Sequence, residues 1–278
     1  MTRRVCIIGH PVAHSRSPLV HGYWLAQHGI DGAYGREDVP AERIGDFLQD
    51  LQSLGYVGGN VTVPHKEAAY AACTERDPVA SALRAVNTLW LEGGRLCGAN
   101  TDVHGFLANL DERAPGWDRA LDTALVLGAG GAARAVLHGL LSRGVGRVAL
   151  ANRTLGRAQA LAAHFGPRVE PLELRDAPGR LAGCRLVVNT TALGMAGKQP
   201  LELDLSPLSP DAVVADIVYV PLETPLLRAA KARGLATVDG LGMLLHQAVP
   251  GFERWFGVRP TVTPELRALI LADIATST

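Results

Sequence analysis

The chain has 278 residues, 47% of them hydrophobic and 19% charged, and its formal net charge is zero. That balance is globular and argues against a disordered chain. A neutral total also argues against a broad nucleic-acid footprint, while leaving room for a local anion site. The length is enough to bury a large core without disulfides or metals, as one large domain or two ordinary ones.

Taken in chain order, short apolar runs alternate with amphipathic segments of helical length, the pattern of β-α-β units on a parallel sheet. Strands are expected at residues 4–8, 33–36, 56–61 and 86–91, with helices at 18–28, 41–54 and 64–72 between them. Pro18 and Pro64 each suit a first helical position, where a missing N–H leaves nothing unpaired. Glu92-Gly93-Gly94-Arg95 reads as a tight turn into an antiparallel strand at 96–99. Segment 111–122, which holds Pro115-Gly116, is polar and reads as a hinge. A second system starts at Thr123, with strands at 123–127, 147–151, 185–190, 212–217 and 236–238 and a helix from the glycine turn to about Arg143. Helices at 241–255 and 264–274 close the chain, the last with Thr263 as its N-cap.

Cys6, Cys73, Cys97 and Cys184 form no C-x-x-C pair and read as buried free thiols of a reducing compartment. The apolar run after Arg3 and Arg4 is too short for a signal peptide, and nothing approaches the roughly 20 residues of a membrane span. A cytoplasmic protein is expected, with neither membrane nor nucleic acid as partner. His10 and His14 flank Pro11 without a third convergent ligand, so no metal is expected.

Gly128-Ala129-Gly130-Gly131-Ala132-Ala133 matches G-x-G-x-x-G/A between an expected strand and an expected helix, which is the context that gives this pattern meaning. Gly128 would make the turn, Gly130 would admit a pyrophosphate, and the helix-start N–H groups would face the phosphates. The next strand ends in Asn152-Arg153-Thr154, with Arg157 one turn on, where an NAD site presents a carboxylate. Two guanidiniums and a hydroxyl suit a ribose 2′-phosphate and point to NADP; on their own they read equally well as a solvated loop. In the first half, Ser15 and Ser17 stand between a strand and a helix, as caps or as carboxylate ligands. Lys66 opens another helix, where the dipole disfavours a cation, and Asn87 and Asp102 follow strand ends.

Together these residues resemble the shikimate dehydrogenase family over nearly the whole chain. The matching blocks are 9–18, 60–66, 85–88 and 100–105, then 128–135, 152–154, 216–221 and 239–247. The resemblance implies Lys66 and Asp102 as the catalytic pair, with Ser15, Ser17, Thr62, Asn87, Asp102, Tyr219 and Gln247 around the substrate. It implies cofactor contacts at Gly128, Ala129, Gly130, Gly131, Ala132, Asn152, Arg153, Thr154 and Arg157, and Ile217 and Gly240 at the nicotinamide end. Relatives that accept quinate tend to carry threonine at the position of Ser17. Three departures stand out: Arg84 replaces a common glycine, Val220 a common asparagine, and Ala192 a usual serine. None removes a matched polar ligand.

The expected fold is α/β in two domains with a cleft between them. Residues 1–103 would form an N-terminal α/β substrate domain and 104–237 a Rossmann-type NADP-binding domain. Helices of 238–278 would return to the first domain, a point the resemblance alone supplies. The expected reaction is reversible NADPH-dependent reduction of 3-dehydroshikimate to shikimate by a monomer or homodimer. Two readings compete. One is a quinate/shikimate dehydrogenase using NAD, against which Arg153 counts. The other is a non-catalytic dinucleotide sensor, against which the intact Lys66 and Asp102 count.

Overall fold

In this computed structural model, which describes residues 2–119 and 121–277, the chain begins with β1 (Arg3–Gly9), an apolar strand buried from Val5 onward. Helix α1 (Ser17–His28) leads to β2 (Gly32–Asp38), and α2 (Ile44–Gln49) leads to β3 (Tyr56–Val61). After α3 (Lys66–Ala72) come the short β4 (Glu75–Arg76) and α4 (Pro78–Leu83), then the hairpin of β5 (Thr88–Glu92) and β6 (Arg95–Ala99). The sheet order is β2-β1-β3-β5-β6-β4. It is parallel across β2, β1 and β3 and antiparallel from β3 through β5 to β6. Polar β2 lies at an edge, while β1, flanked on both sides, carries the continuous apolar run. The hairpin turn is as expected: Gly93 and Gly94 have φ of 58° and 76°, the left-handed pair a two-residue type I′ loop requires.

Helix α5 (Asp102–Arg113) opens the second system, followed by β7 (Thr123–Leu127), α6 (Gly131–Ser142), β8 (Arg147–Asn152), α7 (Leu155–Phe165) and β9 (Val169–Glu173). Then come β10 (Leu186–Asn189), β11 (Val213–Asp216), α8 (Pro225–Ala232) and β12 (Ala236–Val238). All six strands are parallel, in the order β9-β8-β7-β10-β11-β12. This is the doubly wound order, whose switch point falls between β7 and β10. Side chains alternate between faces: Ala124 and Val126 join one core with Phe106, Val136 and Leu140, whereas Leu125 and Leu127 join another with Val187, Val214 and Leu226.

The chain ends in α9 (Leu241–Phe256) and α10 (Pro264–Ser277). Two compact units result, Met1–Asp102 with Leu245–Thr278, and Val103–Leu244. The last segment is tied into the first unit by bonds from Trp24 Nε1 to the Thr261 carbonyl (3.1 Å) and from Trp255 Nε1 to the Leu89 carbonyl (2.8 Å). Arg16 also pairs with Asp273 at 2.9 Å. Thr263 caps α10 as expected, its Oγ1 accepting from the Leu266 N–H at 3.3 Å. The four cysteines are buried and free, and no described helix is long and apolar enough to cross a membrane.

Several local expectations need correction. Segment 111–122 is no hinge: it completes α5 and then buries Ala114, Trp117 and Leu121 in the second unit's core. Its polar residues hold it there, Asp111 accepting from Trp117 Nε1 at 2.9 Å and Asp118 pairing with Arg143 at 2.7 Å. The helix expected over 41–54 is a 3₁₀ turn at Ala41–Arg43 followed by the short α2. Beyond it Ser53 Oγ donates to the Asp50 carbonyl, a local bond that competes with helix. Pro64 lies in the turn before α3, which the His65 N–H closes onto the Thr62 carbonyl at 2.9 Å. Helix α4 was not anticipated, although its Asp77-Pro78 start is a legible cap, Asp77 Oδ1 accepting from Ala80 N at 2.5 Å. Helices α7 and α8 and strand β9 were also missed. Arg84, where the family favours glycine, ends α4 at φ 51° and ψ 39°. That left-handed cap is the reason for the glycine.

Behind β1, His21 is fully buried and stacked on Tyr34 at 4.1 Å and 5°, with Trp24, Phe252 and Trp255 around it. Neither ring nitrogen has a hydrogen-bond partner of good geometry among the described residues. Burial pulls its pKa from 6.5 to about 3, and the Asn60 side chain offsets this only in part. Below pH 6.5 the unfolded chain takes up a proton that the folded chain refuses, so stability falls as pH drops toward 3. The expected loss between pH 7 and pH 5 is about 2 kcal/mol. His21→Phe should flatten that slope, measured as urea unfolding free energies at the two pH values; equal slopes would refute the account.

Candidate active site

In the first unit, the ends of three elements converge. Lys66 is the first residue of α3 and Asp102 the first of α5. Their side chains meet at 2.5 Å, Nζ to Oδ2, with 28% and 14% of their surfaces exposed. Asp102 Oδ1 accepts from Asn87 Nδ2 at 2.8 Å, so each carboxylate oxygen has its own donor. The backbone holds this cluster together. The Val86 N–H donates to the Lys66 carbonyl at 2.9 Å and the Asn87 N–H to the Ala99 carbonyl at 3.0 Å. Asn87 Oδ1 in turn accepts from the Thr101 N–H at 2.8 Å, which sets the amide so that its donor end faces Asp102.

The other expected substrate residues of this unit are positioned by neighbouring segments. Ser15 Oγ accepts from the Ser17 N–H at 3.3 Å, and the Ser15 carbonyl accepts from Arg36 at 2.7 and 3.2 Å, tying the turn before α1 to β2. The Ser15 hydroxyl therefore serves the turn as an acceptor and keeps its proton for donation. Ser17 is buried, within hydrogen-bonding reach of the Tyr34 hydroxyl. Half-buried Thr62 leaves β3, its N–H held by the Ile8 carbonyl at 2.9 Å, and half-buried Gln247 lies on α9. Tyr219 belongs to the second unit, on the loop after β11.

The second unit builds the glycine turn at its switch point. Gly128 has φ of 101°, and a Cβ there would lie 2.8 Å from both Thr190 Oγ1 and Thr191 Cγ2. A Cβ on Gly130 or Gly131 would meet nothing within 4 Å, so the space in front of α6 is open. Gly130 caps α6 without a side chain, leaving its first N–H groups to an anion; Ala132 follows in the first turn, and Ala133 is buried against the sheet. Asn152 shapes this turn from within. Its Oδ1 accepts from the Ala129 N–H at 3.1 Å and its Nδ2 donates to the Thr154 carbonyl at 2.8 Å.

Arg153, Thr154 and Arg157 are exposed beyond β8. Arg153 borders a pocket of about 490 Å³ lined by Leu127, Leu193 and Leu203, with the Glu173–Arg175 pair at 3.1 Å on its edge. A side-chain-free cradle, an uncapped helix start and an apolar pocket with a guanidinium beside it fit a dinucleotide carrying a ribose phosphate. Gly240 backs onto the Ile217 carbonyl, which an added Cβ would meet at 2.1 Å.

Sequence reasoning missed the group that fixes the Ile217 loop. Buried Asp216 accepts from the Val218 N–H (3.0 Å), Asn189 Nδ2 (3.0 Å) and Thr224 Oγ1 (2.7 Å). Burial pushes its carboxyl upward, and those three bonds oppose the shift. A carboxylate closing the apolar run of β11 was the available signal. Thr101 and Thr190 were missed as well, because each acts on a loop distant in sequence.

Fold and turn define a protein of the dinucleotide-binding, doubly wound class, carrying a second α/β unit with a lysine–aspartate pair. Family models narrow this further. Residues 7–89 match the shikimate dehydrogenase substrate binding domain, 114–196 shikimate / quinate 5-dehydrogenase, and 240–264 the shikimate 5′-dehydrogenase C-terminal domain. The chain is 66% identical over 273 residues to a shikimate dehydrogenase (NADP(+)) of Azorhizobium caulinodans, covering 98% of this chain and 97% of that one. It is 61% identical to the enzyme of the same name from Rhodopseudomonas palustris, over 98% of each chain. Among solved structures it resembles the Thermus thermophilus shikimate 5-dehydrogenase in complex with NADP(H) and shikimate (TM-score 0.85, 37% identity, 100% of each chain). It also resembles the Corynebacterium glutamicum quinate dehydrogenase in complex with NAD (TM-score 0.90, 33% identity, 98% of this chain and 99% of that one). The chain belongs to the shikimate dehydrogenase family.

The glycine turn yields a direct test. Gly128→Ala must adopt a strained φ and place its Cβ against the Thr190 and Thr191 side chains, a cost of about 1–3 kcal/mol. Thermal unfolding should show a clear fall in midpoint, and an unchanged midpoint would contradict the geometry.

Proposed function

We propose that the chain catalyses the reversible NADPH-dependent reduction of 3-dehydroshikimate to shikimate, a step of aromatic amino-acid (chorismate) biosynthesis. The observation that carries this reading is the Lys66–Asp102–Asn87 cluster in a chain that also holds the open glycine turn. NADPH, when bound, supplies the hydride; the protein supplies position and charge.

Reduction of a ring ketone leaves an oxyanion that needs a proton. The Lys66 ammonium offers both a charge to stabilise it and a proton to give, the largest kind of single contribution an active site makes. Asp102 holds that ammonium at 2.5 Å and is itself held by Asn87. The same carboxylate is the group suited to accept from a substrate hydroxyl next to the reacting carbon. Ser15, Ser17 and Thr62 offer hydroxyls to the rest of the molecule, with Gln247 and Tyr219 as further polar contacts. A protein working in the cytoplasm, as a monomer or homodimer, fits this role.

Quinate oxidation with NAD is the second reading, favoured by the likeness to the Corynebacterium enzyme. Arg153 and Arg157, exposed beyond β8, a strand that ends in Asn152 and not in a carboxylate, favour NADP instead. Ser17 favours shikimate.

Absorbance at the NADPH band, with shikimate or quinate and either cofactor, tests these readings together. The wild type is expected to oxidise shikimate with NADP, and equal efficiency with NAD or quinate would move the protein to the second reading. Lys66→Ala should lower kcat by about a hundred- to a thousandfold while the fold persists. Near-normal turnover would sink the assignment. Arg153→Ala should raise the KM for NADP by about ten- to a hundredfold and leave that for NAD nearly unchanged.

A further inference from the structure

Behind the Lys66–Asp102 pair runs a chain of buried polar side chains, of which the mechanism above uses only Asn87. Asn60 lies at the end of β3, Asn87 and Thr88 at the start of β5, and all are nearly inaccessible to solvent, at 3%, 2% and 2% exposure. Tyr34, on the edge strand β2, points its hydroxyl into them and donates to Asn60 Oδ1 at 2.6 Å. Asn60 Nδ2 then donates to the Asn87 carbonyl at 3.1 Å and to Thr88 Oγ1 at 3.2 Å. Thr88 Oγ1 passes its single proton to Asn87 Oδ1 at 3.0 Å. Asn87 Nδ2 donates to Asp102 Oδ1, and Asp102 Oδ2 receives Lys66.

We propose that Tyr34 is a positioning residue for the Lys66–Asp102 pair, its hydroxyl supplying the donor at the far end of the run of bonds from Asn60 through Thr88 and Asn87 to the Asp102 carboxylate.

An amide has one acceptor end and one donor end, and a hydroxyl has one proton. The Asn87 carbonyl can only accept, so Asn60 turns its nitrogen to that carbonyl and to Thr88 and its oxygen to Tyr34, which must donate. Thr88, receiving a donor, has its proton for Asn87 Oδ1, and together with the Thr101 N–H this bond holds the Asn87 nitrogen on Asp102. Remove the Tyr34 hydroxyl and the buried Asn60 oxygen loses its well-aligned donor, since the neighbouring His21 ring makes no bond of good geometry among the described residues. Satisfying Asn60 then draws on its bonded neighbour Thr88, whose proton is one of those that hold the Asn87 amide. Asn87 keeps its bonds from the Thr101 N–H (2.8 Å) and hydroxyl (3.2 Å). It loses its bond from Thr88, so the effect is a looser carboxylate and not a broken site.

Two further observations suit Tyr34 to this task. Its ring is clamped face to face against His21 at 4.1 Å, so the hydroxyl cannot swing away. Burial pushes that hydroxyl well above its ordinary pKa, which keeps it a donor across the working pH range. The Ser17 side chain also lies within hydrogen-bonding reach of the same oxygen.

The proposal rests on the shikimate dehydrogenase reading above, and the test separates the two. Wild type, Tyr34→Phe, Asp102→Asn and the double variant are assayed for shikimate oxidation with NADP, with thermal midpoints for each. Tyr34→Phe keeps the ring on His21 and removes only the oxygen. It should lower kcat by about ten- to a hundredfold, as a small misplacement of a catalytic group does, with the KM for NADP unchanged. In the Asp102→Asn background the same change should cost less than about twofold, since the group it positions is already altered. Thr88→Val, which breaks the chain one link further on, is measured alongside and should repeat this pattern even if Tyr34→Phe fails to fold. An active wild type with undiminished kcat in Tyr34→Phe overturns the proposal alone. Equal losses in the wild-type and Asp102→Asn backgrounds, for either variant, overturn it too, because a merely structural defect is additive. An inactive wild type overturns the functional reading and the proposal with it.

Discussion

An ammonium at the start of one helix, held by a carboxylate at the start of another, is the constraint around which the first unit is organised. Lys66 occupies the end of α3 where the helix dipole opposes a positive charge, at a cost of about 0.3–1 kcal/mol. A charge-assisted hydrogen bond to Asp102, about 1.5–3 kcal/mol for a mostly covered pair, exceeds that cost. Asp102 stands at the helix end that favours it, so the dipoles of α3 and α5 act in opposite senses on the two partners. The pair depends on its frame: the Lys66 carbonyl is bonded to Val86, and Asn87 is bonded across to Ala99. Three strand or helix ends are locked in register, and the charged side chains inherit that register.

The second unit solves a different problem, that of holding a turn open. Its six parallel strands are covered on both faces by alternating cores, which is why β7 and β10 read as unbroken apolar runs. At the switch point the chain leaves β7 and β10 in opposite directions, and the crevice between them is closed from below by Thr190. Thr190 Oγ1 donates to the Leu127 carbonyl at 2.8 Å, directly under Gly128. Asn152 reaches in from β8 and takes the Ala129 N–H. The turn is therefore shaped by neighbours on both sides, while the face toward α6 is left without side chains.

How far this was legible depends on whether the deciding interaction is local. Strands β3, β7 and β12 have the expected ends because apolar runs flanked by glycine or polar residues mark strands without outside help. The Gly93-Gly94 turn, the Thr263 cap and the glycine cradle were legible for the same reason. The expectation over 41–54 failed because helical spacing was present while Ser53 and Asp50 bonded each other instead. The hinge reading of 111–122 failed because its polarity was counted and the burial of Trp117 was not. In the site, the misplaced charge of Lys66 was visible from its position alone. Tyr34, Thr101 and Asp216 were not, since what each does depends on a partner brought near only by the sheet.

The departures from the family pattern follow from the same distinction between backbone shape and polar partners. Arg84 adopts the left-handed cap that glycine would take without strain, at a cost of about 1–2 kcal/mol, and its side chain remains exposed there. At 192 the loop has no need of a hydroxyl. Thr191 already supplies one, its Oγ1 donating to Asn189 Oδ1 at 2.7 Å and accepting from the Leu193 N–H at 3.1 Å. Val220 presents its backbone to that same loop, its carbonyl accepting from the Ala196 N–H at 2.9 Å, a bond that any side chain at 220 permits. Where this chain departs from its family, it does so at positions read through the backbone. Positions read through their side chains, such as Asn87, Asp102, Asn189 and Asp216, each have more than one bonded neighbour, and a change at any of them would leave a buried group unpaired.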